Sequence, residues 1–132
     1  FGLKWSNWEP LENIGKNHNI PAERGLYRVR VRDAVSLSYI GETGSSLRAR
    51  LGQLSNGIYK NYMPYRDPHT AGPAFWSLLQ LDPVHLEASV SPCLNLSKPQ
   101  RKGLECLAIY EHRKNFNKSP TFNFGRMPFG NE

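Results

Sequence analysis

The sequence predicts an α+β domain: a small antiparallel sheet of about three strands flanked by helices, spanning residues 1–132. Two segments, 25–41 and 84–90, alternate apolar and polar residues as half-buried strands do. Apolar residues spaced for one helix face follow the first segment, and residues 97–115 predict a longer helix. The expected order is strand, strand, helix, loop with a short helix, strand, long helix.

The first two strands are expected to form a hairpin. If its turn is Arg32-Asp33-Ala34, Tyr27 lies directly opposite Tyr39, and Val29 faces Leu37. Opposed side chains lie about 5 Å apart at Cβ, so the register brings two phenols together on one face. Taken alone, the pattern favours an aromatic cross-strand contact that stabilises a hairpin.

A helix is predicted to follow the hairpin, with Ser45 or Ser46 as its cap. Leucines between residues 47 and 54 recur at the spacing of an inward face. Arg50 lies at the margin of that face, from which its guanidinium can reach toward the hairpin. A planar guanidinium suits phosphate because it donates two parallel hydrogen bonds.

The last predicted helix begins at Ser97, a plausible cap, and runs to about Asn115. Glu105 shares one side of it with Ile109 and His112, at i+4 and i+7. A helical glutamate is ordinarily solvated, which is the interpretation without further information. The apolar face is expected to consist of Leu104, Leu107 and Ala108.

Taken together, the tripeptides Gly-Leu-Tyr at 25–27 and Tyr-Ile-Gly at 39–41, followed by Leu-x-x-Arg ending at Arg50, resemble the GIY-YIG nucleases. The resemblance implies an α+β nuclease fold and metal-dependent hydrolysis of DNA phosphodiester bonds, in a restriction-like or repair-like role. It also implies a metal-binding glutamate on a later helix, for which Glu105 is the match.

The roles implied by the resemblance follow the needs of phosphodiester hydrolysis. Tyr27 would act as general base and Tyr39 would position the water or phosphate, although the two roles can be exchanged. A phenol has a reference pKa of about 10, so it serves as a base only if nearby cations lower that value. Arg50 would grip the phosphate, and Glu105 would hold one Mg²⁺ or Mn²⁺.

The family also has an asparagine beyond the glutamate helix. Asn123 in Ser-Pro-Thr-Phe-Asn is the implied match, with Asn117 as the alternative because this segment is longer than in compact members. An ordinary turn asparagine is the competing interpretation of Asn123. His69 is a further catalytic candidate, since Leu54 occupies the position where some members have a histidine; a turn constituent is the competing interpretation.

Residues 52–83 are expected to be an insertion, a loop followed by a short helix. Aromatic and basic side chains mixed in this way either stack on nucleotides or pack the loop onto the sheet. The candidate nucleic-acid contacts are Arg48, Tyr59, Lys60, Tyr62 and Arg66. Residues 1–22 are predicted to be an N-terminal arm that packs against the domain.

Composition agrees with a nucleic-acid partner. The chain has a net charge of +6, which favours an anionic partner such as double-stranded DNA. Arg28, Arg30 and Arg32 share the strand face opposite the tyrosines, where they are solvated, paired or in contact with DNA. Without a signal peptide or a long apolar span, we expect a cytoplasmic protein with no membrane partner.

The size of the chain favours a small nuclease that either forms a homodimer or reads DNA with its own loops. Two alternatives remain open at this stage. One is a nucleic-acid-binding module that keeps the fold without activity, and the other is a nuclease directed at RNA.

Overall fold

In the computed structural model, residues 3–64 and 71–123 are described, and they form an antiparallel sheet with three helices. The strands are β1 (Glu9–Pro10), β2 (Gly25–Val31), β3 (Tyr39–Thr43) and β4 (Leu86–Pro92). The helices are α1 (Leu47–Ile58), α2 (Gly72–Leu81) and α3 (Lys98–Phe116). The spatial order of the strands is β1-β4-β2-β3, so β2 is central and β3 is an edge strand.

The predicted α+β class is confirmed, and the sheet has one more strand than expected. The additional strand is β1, in which Glu9 pairs with Ala88 and Pro10 with Glu87. Two residues are too short to show alternation, so the sequence carries no periodic signal for this strand. None of the helices among the described residues is long and apolar enough to cross a membrane.

The predicted hairpin register is wrong by two residues. Tyr39 pairs with Val29, and Gly41 pairs with Tyr27. The connection is longer than a tight turn: Asp33 has φ of 66°, the Ala34 N–H donates to the Val31 carbonyl, and the chain then continues to residue 38. Because side chains alternate with a period of two, a two-residue shift leaves both tyrosines on the same face.

The predicted N-terminal arm is an integral part of the core. Leu11, Ile14 and Ile20 are each no more than 1 % exposed. A short 3-10 helix, Ile14–Lys16, crosses α1 where Gly15 meets Gly52, and neither position has room for a Cβ at ordinary contact distance. Residues 3–22 therefore close the apolar layer beneath β2.

Helix α1 extends further than the sequence indicated. Ser46 caps it by accepting a hydrogen bond from the Ala49 N–H, and it continues to Ile58. Residues 52–58 are thus helical rather than part of an insertion loop, since Leu54 and Ile58 extend the buried face. The predicted short helix is confirmed as α2.

Helix α3 begins with a capping box between Ser97 and Gln100, and it contacts β3 and β2. The predicted apolar face is wrong: Leu107 is exposed, and Leu104 and Ala108 are only half-buried. The buried face consists of Arg101, Glu105, Ile109 and His112. Polar side chains are buried here because partners on the sheet satisfy them, which hydrophobic periodicity does not register.

Candidate active site

The two hairpin tyrosines lie together on the face of the sheet that α1 and α2 cover. Their ring centroids are 6.1 Å apart with the planes at 39°. Tyr27 is 1 % exposed and Tyr39 is 9 % exposed. Tyr39 also meets the Phe75 ring edge-on at 6.4 Å. The pair is therefore part of the core, with Tyr39 nearer to solvent.

Gly41 and Gly25 each lack room for a side chain, and the steric cause differs between the two. A Cβ at Gly41 would lie 2.5 Å from both Cζ and Oη of Tyr27, so only glycine lets that ring cross β3. A Cβ at Gly25 would overlap the Ser91 carbonyl oxygen of β4. Gly41 thus acts on the candidate site directly, whereas Gly25 allows the strands to pair closely.

Burial and the neighbouring charges have opposing effects on the pKa of Tyr27. Burial raises the pKa of the Tyr27 phenol well above its ordinary value, and the neighbouring Tyr39 and Glu105 raise it further. The charge of Arg50 and its hydrogen bond to the phenol lower that pKa, but burial dominates. In the protein alone, Tyr27 is a neutral phenol, contrary to the lowered pKa that a general base requires.

Arg50 lies beside Tyr27, as its position at the helix margin predicted. Its Nε atom is buried and has no hydrogen-bond partner among the described residues. A buried donor left unpaired costs roughly 1–3 kcal/mol. Arg50 as a whole is half-buried, so a phosphate would meet its terminal N–H groups rather than the enclosed Nε.

Glu105 is 2 % exposed and faces the sheet from α3, at the border of a network of charges. Lys102 Nζ lies 3.9 Å from Glu105 Oε1 and 3.3 Å from Glu42 Oε1. Arg101 Nε donates to Glu42 Oε2 at 3.1 Å. The sequence analysis missed Glu42; its position directly after Gly41 turns it to the face opposite Tyr39, toward α3.

The donor set available to a divalent cation is small. The described residues contain no cluster of three or more His, Cys, Asp or Glu side chains that could hold a metal ion. Mg²⁺ commonly takes one or two carboxylates and fills its other positions with water and substrate phosphate. Glu105 fits that single-carboxylate mode, and its influence on the pKa of Tyr27 shows that the two groups are within electrostatic reach.

Asn123 is fully occupied by the backbone of the edge strand. Its Oδ1 accepts from the Ile40 N–H and its Nδ2 donates to the Ile40 carbonyl, both at 2.9 Å. The side chain is 4 % exposed. Asn123 therefore fixes the position of β3 next to Tyr39. The alternative, Asn117, has φ of 60° at the C-terminus of α3, where it ends the helix.

Among the described residues, the predicted nucleic-acid contacts lie in two places: Arg48 is in one, and Tyr59, Lys60 and Tyr62 are in the other, where Lys60 Nζ lies 5.5 Å from the Tyr62 ring centroid. Arg48 Nε donates to the Ile20 carbonyl at 2.8 Å and holds the N-terminal segment. Tyr59 and Lys60 line a groove with Arg32, which follows β2 and lies about 16 Å from Tyr27 along the strand. Tyr62 is exposed. Arg66 and His69 fall outside the described residues.

His112 joins three parts of the molecule, although the sequence marked it only as a neighbour of Glu105. Its Nε2 accepts from the Leu37 N–H at 2.9 Å, so its Nδ1 carries the proton that is donated to the Lys118 carbonyl at 2.6 Å. The contact with Leu37 requires the neutral ring, whereas Nδ1–H can donate to the Lys118 carbonyl in either charge state. Burial, aided by the charge of Lys118, lowers the pKa of His112 despite the hydrogen bond to that carbonyl.

The site thus places Tyr27 beside Tyr39 and Arg50, with Glu105 of α3 within electrostatic reach of Tyr27. No protein-family model, curated protein or solved structure matches this chain.

Proposed function

We propose that this chain is a metal-dependent endonuclease that hydrolyses DNA phosphodiester bonds with a GIY-YIG-type fold and site. The observation that carries the proposal is the junction of Tyr27, Arg50 and Glu105, which come from β2, α1 and α3. A phenol, an unpaired buried guanidinium Nε and a buried carboxylate at one place are unusual in a core. They are the groups that binding and splitting a phosphodiester needs.

In this mechanism, Arg50 binds a phosphate oxygen through its terminal N–H groups and keeps its hydrogen bond to Tyr27. The neutral Tyr27 accepts from Arg50 and directs its own O–H toward the phosphate or water. Tyr39, the more exposed phenol, orients the attacking water, and a non-bridging oxygen of the phosphate takes the proton that this water loses. A divalent cation held by Glu105 would supply charge neutralisation at the phosphate and the leaving oxygen.

The high pKa of Tyr27 decides which role each phenol takes. Arg50 alone does not offset burial, so Tyr27 works better as a hydrogen-bond donor than as the resting base. The substrate is proposed to be duplex DNA on the strength of the +6 net charge. A cytoplasmic location and a homodimer are parts of the same proposal.

A second candidate function is a nucleic-acid-binding module without activity. The observation that favours it is the burial of Tyr27, which is 1 % exposed and fully surrounded by packing partners. In that case the phenol, Gly41 and Arg50 serve to close the core. The two candidates differ in one measurable respect, which is whether a phosphodiester bond is broken.

A plasmid-nicking assay with MgCl₂ tests the choice. Glu105→Gln and Arg50→Met are expected to reduce nicking by about 10²-fold or more, because each removes a charge from the reacting centre. Glu12→Gln is the matched control, since it makes the same chemical change at an exposed glutamate of the N-terminal segment, outside the cluster. Its nicking rate is expected to equal that of the wild type.

Two results would contradict the proposal. Nicking that survives both substitutions would place the reacting centre elsewhere. The absence of cleavage of duplex, single-stranded and branched DNA by a folded wild-type protein would favour the binding module, and cleavage of RNA alone would change the substrate.

A further inference from the structure

The face of the sheet opposite the tyrosines carries an open cavity of about 590 Å³. It lies between β2, the connection from β2 to β3, the C-terminal half of α3 and the N-terminal segment. Arg28 and Arg30 contribute its strand wall, and Glu111 and His112 contribute its helix wall. None of the proposed reacting groups lines this cavity.

Two tryptophans hold the guanidinium of Arg28 in place. Its Cζ lies 4.4 Å from the ring centroid of Trp5 and 4.6 Å from that of Trp8. Contacts of this kind use the faces of the guanidinium and leave its terminal N–H groups free for in-plane hydrogen bonds, since Arg28 is half-buried and lines the cavity. The side chain is thus pre-ordered, which lowers the entropic cost of binding a ligand at those groups.

Arg28 and its neighbour Arg30 differ in one respect that matters. Arg30 stacks on Trp8 at 4.0 Å, but its Nε also donates to Glu87 Oε1 at 2.7 Å. The Nε of Arg28 is buried without a hydrogen-bond partner, and no carboxylate in residues 3–64 and 71–123 forms an ion pair with Arg28. A packing role for the tryptophans does not account for an unpaired buried donor.

The charge state of Arg28 is compatible with an anion ligand. Burial, and secondarily the like charge of Arg30, lowers the pKa of Arg28 to about 10, so the group is still protonated at neutral pH. Each effect disfavours the cation, and a bound anion would relieve both. The cavity also holds the Glu111 carboxylate, which favours an anion of low charge.

We propose that Arg28, fixed between Trp5 and Trp8, is a second phosphate-binding site that takes one phosphodiester group of a nucleic-acid backbone. A phosphodiester carries a single negative charge, so Arg28 alone neutralises it while Arg30 stays with Glu87. Two oxygens of that group match the N–H edge of a guanidinium. The inference rests on the proposed function only in taking nucleic acid as the partner.

The site would let nucleic acid contact both faces of the sheet. Tyr27 and Arg28 are consecutive residues of β2, so their side chains point to opposite faces. The segment of nucleic acid bound at Arg28 is therefore a different segment from the one bound at Arg50. The site acts in affinity and in placement of the substrate rather than in bond breaking.

Fluorescence anisotropy with a labelled 20-base-pair DNA duplex in EDTA tests the site without cleavage. Arg28→Met keeps most of the side-chain volume but removes the charge, and Arg28→Lys keeps the charge but removes the planar fork. Both are expected to weaken binding about tenfold, and Arg28→Met to reduce the salt slope by about 1. Arg32→Met is the matched control, an exposed arginine that follows β2 and does not line this cavity, with an expected change below about twofold.

Thermal unfolding followed by tryptophan fluorescence establishes that each variant is folded. If Arg28→Met is not folded, the DNA affinity of Arg28→Lys tests the proposal. Equal weakening by Arg28→Met and Arg32→Met overturns the proposal, because diffuse charge then explains binding. Wild-type binding by Arg28→Lys overturns it as well. So does saturable binding of inorganic phosphate at Arg28 with no effect on DNA affinity, which would indicate a small-anion site.

The outcome is separable from that of the proposed function. A wild-type protein that fails to nick DNA in Mg²⁺ yet binds it through Arg28 contradicts the nuclease and leaves this site intact. A protein that nicks DNA, but whose Arg28→Met variant binds DNA equally well, does the reverse.

Discussion

The two faces of the sheet use consecutive residues of β2 in opposite ways. Tyr27 and Val29 point into an apolar layer closed by α1 and α2, and both are no more than 1 % exposed. Arg28 and Arg30 point into an open cavity and stack on tryptophans. On the first face, burial keeps the Tyr27 phenol neutral. On the second face, stacking on tryptophan and access to water keep the two arginines charged.

Shape dominates on the tyrosine face of the sheet, and charge dominates on the arginine face. The tyrosine face is close-packed, so small changes of volume should be costly and salt should matter little. The arginine face is open, so single changes should be mild and sensitive to ionic strength.

The largest effect is expected at Gly41. In Gly41→Ala the new Cβ would meet Cζ and Oη of Tyr27 at 2.5 Å, so the buried ring must move. We expect a loss of about 3 kcal/mol in the free energy of unfolding, measured by urea denaturation, together with loss of nicking.

Gly103→Ala is the control for that change. Gly103 is an exposed residue of α3, and no heavy atom lies within 4 Å of the position that an alanine methyl would take there. Alanine at this position should raise the free energy of unfolding by about 0.5–1 kcal/mol, because glycine is a poor helix former. If both substitutions cost the same, the tyrosine face is not close-packed around Gly41.

The next effect is expected at Asn123. Asn123→Ala removes two buried hydrogen bonds and leaves the Ile40 N–H and carbonyl without their side-chain partner. A loss of about 2 kcal/mol is expected in urea denaturation. Faster hydrogen exchange of the Ile40 amide, relative to amides of β4, would locate the effect at the edge strand.

Asn123→Asp refines the interpretation. The aspartate still accepts from the Ile40 N–H but has no N–H to give to the Ile40 carbonyl, so it should lose stability as well. Nicking that falls in proportion to the folded fraction would fit a positioning role. A folded variant with no activity would instead place Asn123 among the reacting groups.

Local patterns predicted the elements that have strong periodicity. The leucines of α1, the cap at Ser97 and the sharing of one face by Tyr27 and Tyr39 all follow from spacing and propensity. The shared face survived a register error because any even shift preserves it. These patterns do not establish the function of the chain, which is a proposal.

The remaining features depend on contacts between distant residues. The buried face of α3 is polar because Arg101 meets Glu42 and His112 meets the Leu37 N–H, partners that lie far away along the chain. The raised pKa of Tyr27 depends on how completely other elements bury it. Periodicity contains no information on either, so the sequence predicted a wrong apolar face and a phenol that ionises more readily than the buried Tyr27 does.

A pH effect follows from His112, which borders the cavity of the arginine face. Burial is the main cause that lowers its pKa, so the unfolded chain binds the proton more readily than the folded one. Stability is therefore complete above the unfolded pKa of about 6.5 and falls as the pH drops below that value toward the folded pKa. One proton gives at most about 1.4 kcal/mol per pH unit.

Urea denaturation between pH 7.5 and 5 measures this slope. His112→Gln has no titrating ring, so its slope over the interval should be smaller than that of the wild type. Equal slopes in the two proteins would show that stability does not depend on the neutral His112 ring accepting from the Leu37 N–H.

The smallest effect is expected from Glu87→Gln on the arginine face. The amide oxygen can still accept from Arg30 Nε, so the substitution removes the charge of the pair but keeps its shape. The side chains of Arg30 and Glu87 are 22 % and 12 % exposed, and water screens pairs of this kind, so a loss of no more than about 1 kcal/mol is expected. Urea denaturation in 1 M NaCl should reduce the loss further. A loss above about 2 kcal/mol that salt does not change would mean that the Arg30 pair lies in surroundings as dry as those of Tyr27, and the two faces would then differ in chemistry but not in solvent access.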